Sequence, residues 1–297
     1  MKYNSKLILG TAQFGLDYGV NNKRGRIPEK EVTEIIKQAW TEGIDLLDTA
    51  FSYGESERVI GRYLRSSSRS PAVVSKLPDC TIDEIMGYFY KSLAFLNIDS
   101  FYGYLLHDFQ TYKRDSEVWW VLEELKKRGK TNKIGFSLYY PEELELLLDR
   151  KVRFDLIQVP FSVLDRRFEN KFTLLKDRGV EIHVRSVFLQ GLVFKSMAEL
   201  TGRFIKVKKK ICQLQMIANA QKTTVAAICL NYVLSNKKID RVVVGVDSLE
   251  HLNEVIRLAS EMNLDKDVFQ ALEAVRENDE GMLLPFNWSS ATAGSVS

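Results

Sequence analysis

"IDLLDTAFSYGESERVIGRYL", residues 44–64, contains the change of periodicity that decides the fold. Its first half is a short apolar run, which is typical of a strand buried on both faces. Its second half carries apolar residues at helical spacing. Asp48 and Tyr53 lie between the two halves, and Gly54 follows directly. The stretch therefore predicts a strand, a loop with polar side chains, and a helix.

Similar apolar runs recur along the whole chain, with helical segments between them. Besides residues 44–50, the predicted strands cover residues 6–12, 72–77, 102–108, 133–138, 155–161, 181–188 and 241–246. Because a helix separates each strand from the next, the connections cross over and the strands run parallel. Eight such units in about 250 residues fit a closed barrel. The predicted fold class is α/β, a (β/α)₈ TIM barrel in a single domain over residues 1–297.

Several helices have recognisable starts. Pro28 stands near the first turn of one helix, Pro141 begins another, and Thr81 and Glu84 have capping-box spacing. We assign residues 5–277 to the barrel with its C-terminal helix. Residues 278–297 are predicted to be a tail near the substrate mouth, with a flexible end.

An open doubly wound sheet is the alternative fold. It would require a GxGxxG turn after the first strand, and "LGTAQFG" offers only Gly10 and Gly15 there.

Composition excludes several classes of partner. The formal net charge of the 297 residues is +3, which is too close to zero to favour binding to nucleic acid or to a membrane surface. Three scattered cysteines support neither a disulfide framework nor a metal site. No signal peptide or long apolar stretch is present, so the chain is predicted to be cytoplasmic. Either a monomer or a homo-oligomer is compatible with the sequence.

Four polar residues fall at or just after the ends of three consecutive strands: Asp48, Tyr53, Lys76 and His107. Active sites of such barrels lie at the carboxyl ends of the strands, so these side chains should converge. Taken singly, Asp48 could cap a helix and His107 could be a structural histidine. Together they favour a catalytic site, because a buried lysine requires a partner and Asp48 supplies one.

The four residues suggest a reaction. An ammonium held by a carboxylate beside a phenol would lower the pKa of Tyr53. Such a tyrosine could protonate a carbonyl oxygen, while His107 orients that oxygen by a second hydrogen bond. No side chain can deliver a hydride, so a hydride donor must be bound.

These residues resemble the aldo-keto reductase superfamily. The resemblance extends from "LGTAQFG" to "VVVGVDSLEHLNEVI", and "DTAFSYGESERVIG" is its most specific stretch. "VVSKL" and "YLLHD" stand where that family has its lysine and histidine. The resemblance implies NAD(P)H-dependent reduction of an aldehyde or ketone, such as a sugar or nucleotide sugar, to an alcohol. It implies direct hydride transfer with Tyr53 as the general acid, and no metal.

The same resemblance implies a set of cofactor-binding residues: Ser137, Gln158, Arg185, Ser186, Leu189, Gln190, Gly191, Gly245, Asp247, Ser248 and His251. Ser137 and Gln158 match positions that hold the nicotinamide amide, and Leu138 stands where asparagine is usual. Arg185 takes the place of an aromatic residue that stacks on the nicotinamide ring. The family favours NADP(H) over NAD(H), whereas Asp247 would repel a 2′-phosphate.

Aromatic and polar loop residues are candidates for substrate contact. We predict this role for Phe14, Tyr18, Phe109 and Trp288, and the polar loop at residues 15–26 favours a hydroxylated or anionic carbonyl compound. Two other functions stay open. A Schiff-base aldolase would use Lys76 as its nucleophile, although pairing with Asp48 argues against this. A redox-sensing module would bind the cofactor with little turnover.

Overall fold

The computed structural model describes residues 3–19, 22, 24–67, 71–261 and 264–288. The end of the predicted tail, residues 289–297, and residues 20, 21 and 23 of the first loop lie outside these ranges. Eight parallel strands close into a barrel in chain order, with the first strand paired to the last. They are β1 Leu7–Gly10, β2 Leu46–Asp48, β3 Ala72–Leu77, β4 Phe101–Leu106, β5 Thr131–Ser137, β6 Leu156–Pro160, β7 Glu181–Arg185 and β8 Arg241–Gly245. The predicted TIM barrel is confirmed.

Helices alternate with the strands and surround the barrel. They are α1 Ala12–Gly15, α2 Glu29–Thr41, α3 Ser56–Ser66, α4 Ile85–Leu96, α5 Phe109–Arg114, α6 Val118–Lys127, α7 Pro141–Asp149, α8 Phe172–Asp177, α9 Ile205–Ala220, α10 Val225–Ser235, α11 Leu249–Glu261, α12 Lys266–Glu273 and α13 Glu280–Leu283. Short 3₁₀ turns cover Tyr3–Lys6, Ile82–Glu84, Glu169–Lys171, Leu189–Phe194, Gly202–Phe204 and Pro285–Trp288. Among the described residues, no helix is both long and apolar enough to cross a bilayer.

The helix starts follow local hydrogen bonding. Thr81 and Glu84 form the predicted capping box, in which the Thr81 N–H donates to Glu84 Oε2 at 2.9 Å. Pro141 is the first residue of α7, as predicted. At α11 the cap is Ser248, whose Oγ accepts the N–H of His251 at 3.1 Å.

Apolar side chains form two layers. A small cluster fills the barrel interior: Ile8, Leu46, Val74, Leu105 and Leu156. A much larger cluster lies between the strands and the helices. Since both faces of the strands are covered, the strands are almost entirely buried, which explains their runs of valine, isoleucine and leucine.

Two glycines in neighbouring helices provide a test of helix packing. A Cβ added to Gly61 of α3 would lie 1.8 Å from the carbonyl oxygen of Phe95 in α4, whereas one added to Gly87 would meet nothing within 4 Å. We expect Gly61→Ala to reduce the free energy of unfolding by about 1–3 kcal/mol through overpacking. Gly87→Ala should raise it by up to about 1 kcal/mol, because alanine favours the helix. Urea unfolding of both variants measures the difference, and equal stabilities would contradict the contact.

Candidate active site

Hydrogen bonds from buried hydroxyl groups fix the loop after β2. Ser56 Oγ donates to the carbonyl oxygen of Thr11 at 2.9 Å and lies 3.1 Å from Thr49 Oγ1. Thr11 Oγ1 in turn donates to the carbonyl oxygen of Asp48 at 2.9 Å. These bonds tie the loop after β1 to the loop after β2.

Two glycines let the same loops approach closely. Gly54 has a φ of +57°, and a Cβ there would lie 2.6 Å from the carbonyl oxygen of Gly15. A Cβ on Gly15 would lie 1.9 Å from the carbonyl oxygen of Tyr53. A side chain at either position would therefore force the two loops apart.

Lys76 and Asp48 form a buried ion pair between β3 and β2. Lys76 Nζ lies 2.7 Å from Asp48 Oδ2 and donates to the carbonyl oxygen of Thr49 at 2.8 Å. The Lys76 side chain has no exposed surface, and that of Asp48 is 4% exposed. Burial lowers the pKa of Lys76, and the charge of Asp48 opposes this shift.

The second oxygen of Asp48 is bound by Gln158 of β6. Gln158 Nε2 donates to Asp48 Oδ1 at 2.7 Å, and Gln158 is completely buried. Each oxygen of the carboxylate therefore has its own donor. The family resemblance assigns Gln158 to the cofactor amide, and that role stays a prediction; in the structure its Nε2–H donates to the carboxylate of the ion pair.

Tyr53 and His107 lie beside this pair. Lys76 Nζ is 5.1 Å from the centre of the Tyr53 ring. The rings of Tyr53 and His107 meet edge to face, with centroids 5.7 Å apart. His107 Nδ1 lies 2.9 Å from Ser52 Oγ, a contact that sequence reasoning missed. The four predicted catalytic residues are thus brought together.

The predicted fall in the pKa of Tyr53 is wrong. Burial raises this pKa well above its ordinary value, and the negative charge of Asp48 raises it further, while Arg185 opposes the shift. The ammonium of Lys76 is occupied by Asp48 and a backbone carbonyl, so its charge is largely balanced. Tyr53 is therefore a protonated phenol at neutral pH.

His107 is neutral in the same range. Burial lowers its pKa to about 3, and the charges of Lys76 and Arg185 act in the same direction. A neutral imidazole carries one N–H. When Ser52 donates to Nδ1, that hydrogen is on Nε2, where it can be donated to another group.

A cavity of about 230 Å³ opens above these residues at the carboxyl ends of the strands. Its wall includes eleven of the predicted site residues: Asp48, Tyr53, His107, Arg185, Ser186, Gln190, Gly191, Gly245, Asp247, His251 and Tyr18. The other predicted residues are not among the described residues that line it: Lys76, Ser137, Gln158, Leu189, Ser248, Phe14, Phe109 and Trp288. Lys76 pairs with Asp48, as predicted, and Gln158 donates to the same carboxylate.

Three of the predicted substrate contacts belong to the core or to the packing of the tail. Phe14 and Phe109 are buried in the large cluster, where Phe109 packs against Tyr112. Trp288 meets Phe204 edge to face and donates its Nε1–H to the carbonyl oxygen of Met282 at 3.2 Å. The loops turn these rings inward, so only Tyr18 reaches the cavity wall.

Arg185 is a fixed cation in the wall. Its guanidinium carbon lies 4.1 Å from the centre of the Tyr139 ring, and Nη2 donates to the carbonyl oxygen of Leu138 at 3.1 Å. Stacking and hydrogen bonding therefore set its orientation. Sequence reasoning missed Tyr139, although it lies only two residues after Ser137.

The loop after β7 has an unusual backbone. Ser186, Leu189 and Gln190 have positive φ angles of 64°, 46° and 52°, a region that costs energy for residues other than glycine. Gln190 Nε2 donates to Tyr18 Oη at 2.7 Å, which links this loop to the first loop. Backbone strain of this kind is often found beside binding sites.

A family model described as "Aldo/keto reductase family" matches residues 6–277. The chain belongs to the aldo/keto reductase family. It is therefore an NAD(P)-dependent oxidoreductase of a family that acts on small-molecule carbonyl compounds and needs no metal. Within the described residues, no cluster of three or more histidine, cysteine or carboxylate side chains could hold a metal ion.

Relatives span almost the whole chain. An L-galactose dehydrogenase from Arabidopsis thaliana is 25% identical, covering 88% of this chain and 89% of its own. An NADH-specific methylglyoxal reductase from Escherichia coli is 25% identical, covering 84% and 88%. The holo form of aldo-keto reductase AKR11C1 from Bacillus halodurans has a TM-score of 0.77 at 21% identity, covering 91% of each chain, and shares the fold.

The ion pair can be tested by breaking it from one side. Asp48→Asn leaves the buried ammonium of Lys76 without a countercharge, and we expect a loss of about 3–5 kcal/mol in the free energy of unfolding. The double variant Asp48→Asn with Lys76→Met should recover most of this loss. Asp79→Asn is the matched control, because its pair with Arg114 is half exposed and should contribute much less to stability than the buried pair. Equal losses for the buried and exposed pairs in urea unfolding would refute the assignment.

Proposed function

We propose that this protein reduces the carbonyl group of a small polar aldehyde or ketone to an alcohol, with NAD(P)H as the hydride donor and Tyr53 as the general acid. The observation that carries the proposal is the buried Asp48–Lys76 pair directly beside Tyr53, whose phenol faces the cavity. That arrangement supplies an oriented proton donor in the wall of a cavity that several of the predicted cofactor-binding residues also line.

The side chains divide the proton chemistry between them. Tyr53 is protonated at neutral pH, so its hydroxyl can donate to a carbonyl oxygen that is gaining negative charge. His107 supports this step with an Nε2–H when Ser52 occupies Nδ1. Lys76 lies near the Tyr53 ring and would stabilise the phenolate that forms after the proton has left. In the reverse direction the same phenolate would accept the alcohol proton.

The residues that line the cavity are compatible with a nicotinamide cofactor, which supplies the hydride when it is bound. Gln13 Oε1 is a buried acceptor with no partner among the described residues, and Gln13 lines the wall, so an amide N–H or a ribose hydroxyl of a ligand could satisfy it. The pyrophosphate of the cofactor would lie along Ser186, Gln190 and Gly191.

A slight preference for NADP(H) over NAD(H) stays a prediction, which the family resemblance and Arg24 support. Asp247 and His251 line the cavity, and His251 Nδ1 lies 3.2 Å from Asp247 Oδ1. The negative charge of the Asp247 carboxylate would repel a 2′-phosphate. Arg24 Nη1 donates to the backbone oxygen of Asp247 at 3.2 Å, which brings a cation to the same place. Since Glu31 pairs with that guanidinium at 2.8 Å, the phosphate would compete with Glu31 for it.

Polar residues at the mouth support a hydroxylated or anionic substrate. Tyr18, Gln190 and Arg185 present a hydroxyl, an amide and a cation to the cavity. Two relatives are named for an aldose and a dicarbonyl compound, L-galactose and methylglyoxal. A small sugar or a sugar-derived carbonyl compound is therefore the proposed substrate class, and a cytoplasmic location stays a prediction.

A Schiff-base aldolase is disfavoured by the surroundings of Lys76. Its Nζ is bound by Asp48 and by the carbonyl oxygen of Thr49, and the side chain is fully buried behind the cavity wall. A nucleophilic lysine needs a free amine at the cavity. A cofactor-binding sensor would differ from the proposed enzyme in having little or no turnover.

Tyr53→Phe tests the proposed acid. We expect carbonyl reduction to fall by at least about 10²-fold, because the proton donor is removed. The affinity for NADPH should stay within about twofold, since only a hydroxyl is lost. Steady-state rates with small hydroxyaldehydes and nicotinamide fluorescence on titration measure the two effects. Tyr112→Phe, which removes a hydroxyl in the core, is the control, and undiminished turnover in Tyr53→Phe would mean that another group donates the proton.

Arg185→Leu tests whether the fixed cation favours the reduced cofactor. The nicotinamide ring is positively charged only when it is oxidised, so a neighbouring guanidinium should weaken NADP⁺ binding relative to NADPH. We expect the dissociation constant of NADP⁺, divided by that of NADPH, to fall about tenfold in the leucine variant. Arg185→Lys keeps the charge and should retain the wild-type ratio. An unchanged ratio in Arg185→Leu, measured by calorimetry, would show that Arg185 does not discriminate between the redox states.

A further inference from the structure

A carboxylate of α2 occupies the start of α11. Glu31, in the first turn of α2, accepts the N–H of Leu249, the first residue of α11, through Oε1 at 3.3 Å. The first N–H groups of a helix have no partner within the helix, and together with the helix dipole they favour an anion. The anion at the start of α11 is therefore supplied by the protein itself.

The same carboxylate is bound by Arg24 of the first loop. Arg24 Nη2 lies 2.8 Å from Glu31 Oε2, and Nη1 donates to Glu31 Oε1 at 3.2 Å, so the guanidinium holds both oxygens. Nη1 also donates to the backbone oxygen of Asp247 at 3.2 Å. The Arg24 side chain is 53% exposed and that of Glu31 is 18% exposed. One carboxylate thus takes up both the cation and the helix start.

These contacts lie beside the cavity, after β8. Gly245 at the end of β8, Asp247 and His251 all line the cavity, and Arg24 is bound to the backbone of Asp247. Phosphate groups in such barrels are often bound after strands seven and eight, at the N-terminus of a helix. A 2′-phosphate on the cofactor would therefore require the groups that Glu31 already holds.

The surface between α2 and α11 carries more negative than positive charge. The charged residues that line the groove there, among those described, are two cations and three carboxylates: Arg24, Lys30, Glu31, Glu34 and Glu250. Glu31 raises the pKa of the Arg24 guanidinium most, and Asp247 and Glu250 act in the same direction. A phosphate monoester carries about two negative charges at neutral pH. It would be repelled here as long as Glu31 keeps Arg24.

We infer that Glu31 restricts the choice of cofactor, because it competes with a 2′-phosphate for Arg24 and for the N-terminus of α11 and so weakens NADP(H) binding relative to NAD(H). NAD(H) leaves the pair of Arg24 and Glu31 closed, and its ribose hydroxyls suit a nearby carboxylate such as Asp247. NADP(H) gains Arg24 only when Glu31 gives it up. A single side chain thus limits the slight preference for NADP(H).

This role of Glu31 rests on the proposed function, because it requires a nicotinamide cofactor in the cavity. Its effect is on affinity, so it can be measured by binding alone, without turnover. The quantity that reports it is the dissociation constant of NADH divided by that of NADPH.

Glu31→Gln tests the competition, because it keeps an oxygen for the N–H of Leu249 and removes the charge that holds Arg24. We expect the dissociation constant of NADH, divided by that of NADPH, to rise about tenfold, mainly through tighter NADPH binding. Nicotinamide fluorescence at a fixed, low ionic strength measures both constants, since salt screens exposed charges. AMP and adenosine 2′,5′-bisphosphate differ by the same phosphate, and calorimetry with these two ligands should show the same shift.

Two further variants assign the effect to the pair. Arg24→Met, added to Glu31→Gln, should remove most of the gain, because the phosphate then has no cation to bind. Glu29→Gln is the matched control, since Glu29 stands on the same helix and pairs with Arg62 at 2.6 Å, away from the cavity lining. Its ratio should stay within about twofold of wild type. A gain in Glu29→Gln as large as that in Glu31→Gln would mean that net charge alone is responsible, and would overturn the role of Glu31.

The outcomes separate the role of Glu31 from the proposed function. If both nucleotides bind and the ratio is the same in the wild type and in Glu31→Gln, Glu31 does not restrict the cofactor, and the proposed reductase is unaffected. If the ratio shifts as expected but the wild type reduces no carbonyl compound, the proposed function is wrong and the role of Glu31 is retained. If neither nucleotide binds, both are refuted.

Discussion

A buried ammonium is stable only beside a carboxylate, and the pair of Lys76 with Asp48 is the interaction on which the active site depends. The two residues come from adjacent parallel strands, so the closed barrel brings them within 2.7 Å without help from a flexible loop. Each oxygen of Asp48 has a donor, and the ammonium of Lys76 has two acceptors, Asp48 and the carbonyl oxygen of Thr49. The site is therefore preorganised, and little rearrangement is required when a ligand binds.

The pairing of Lys76 with Asp48 determines how Tyr53 works. Because the charge of Lys76 is balanced by Asp48, it does not make Tyr53 an unusually strong acid in the resting protein. Burial keeps the phenol protonated, and the ammonium becomes useful when the proton leaves and a phenolate has to be stabilised. Arg185 is a less compensated cation, held by an aromatic face and a backbone carbonyl. Its positive charge acts to lower the pKa values of Tyr53, His107 and Lys76.

The sequence predicts the barrel well because strands buried on both faces have a distinctive run of branched apolar residues. It also predicts Asp48, Tyr53, Lys76 and His107, since strand ends in a parallel barrel converge. It does not predict partners that depend on side-chain direction. The contact of Ser52 with His107 follows from loop geometry, and the contact of Gln158 with Asp48 follows from the closure of the barrel. Phe14 and Phe109 were misplaced for the same reason, because a loop aromatic can turn to the core or to the cavity.

The close contact between Gly15 and Gly54 has a consequence for protein engineering. Substrate range in barrel enzymes is commonly altered by exchanging loops, and the loop after β1 is an obvious target here. The backbone of that loop is in close contact, at Gly15, with the turn that carries Tyr53. A transplanted loop with any larger residue at position 15 would move Tyr53 and its hydroxyl group, and would therefore impair catalysis as well as change specificity. Loop libraries for this scaffold should begin after Gly15.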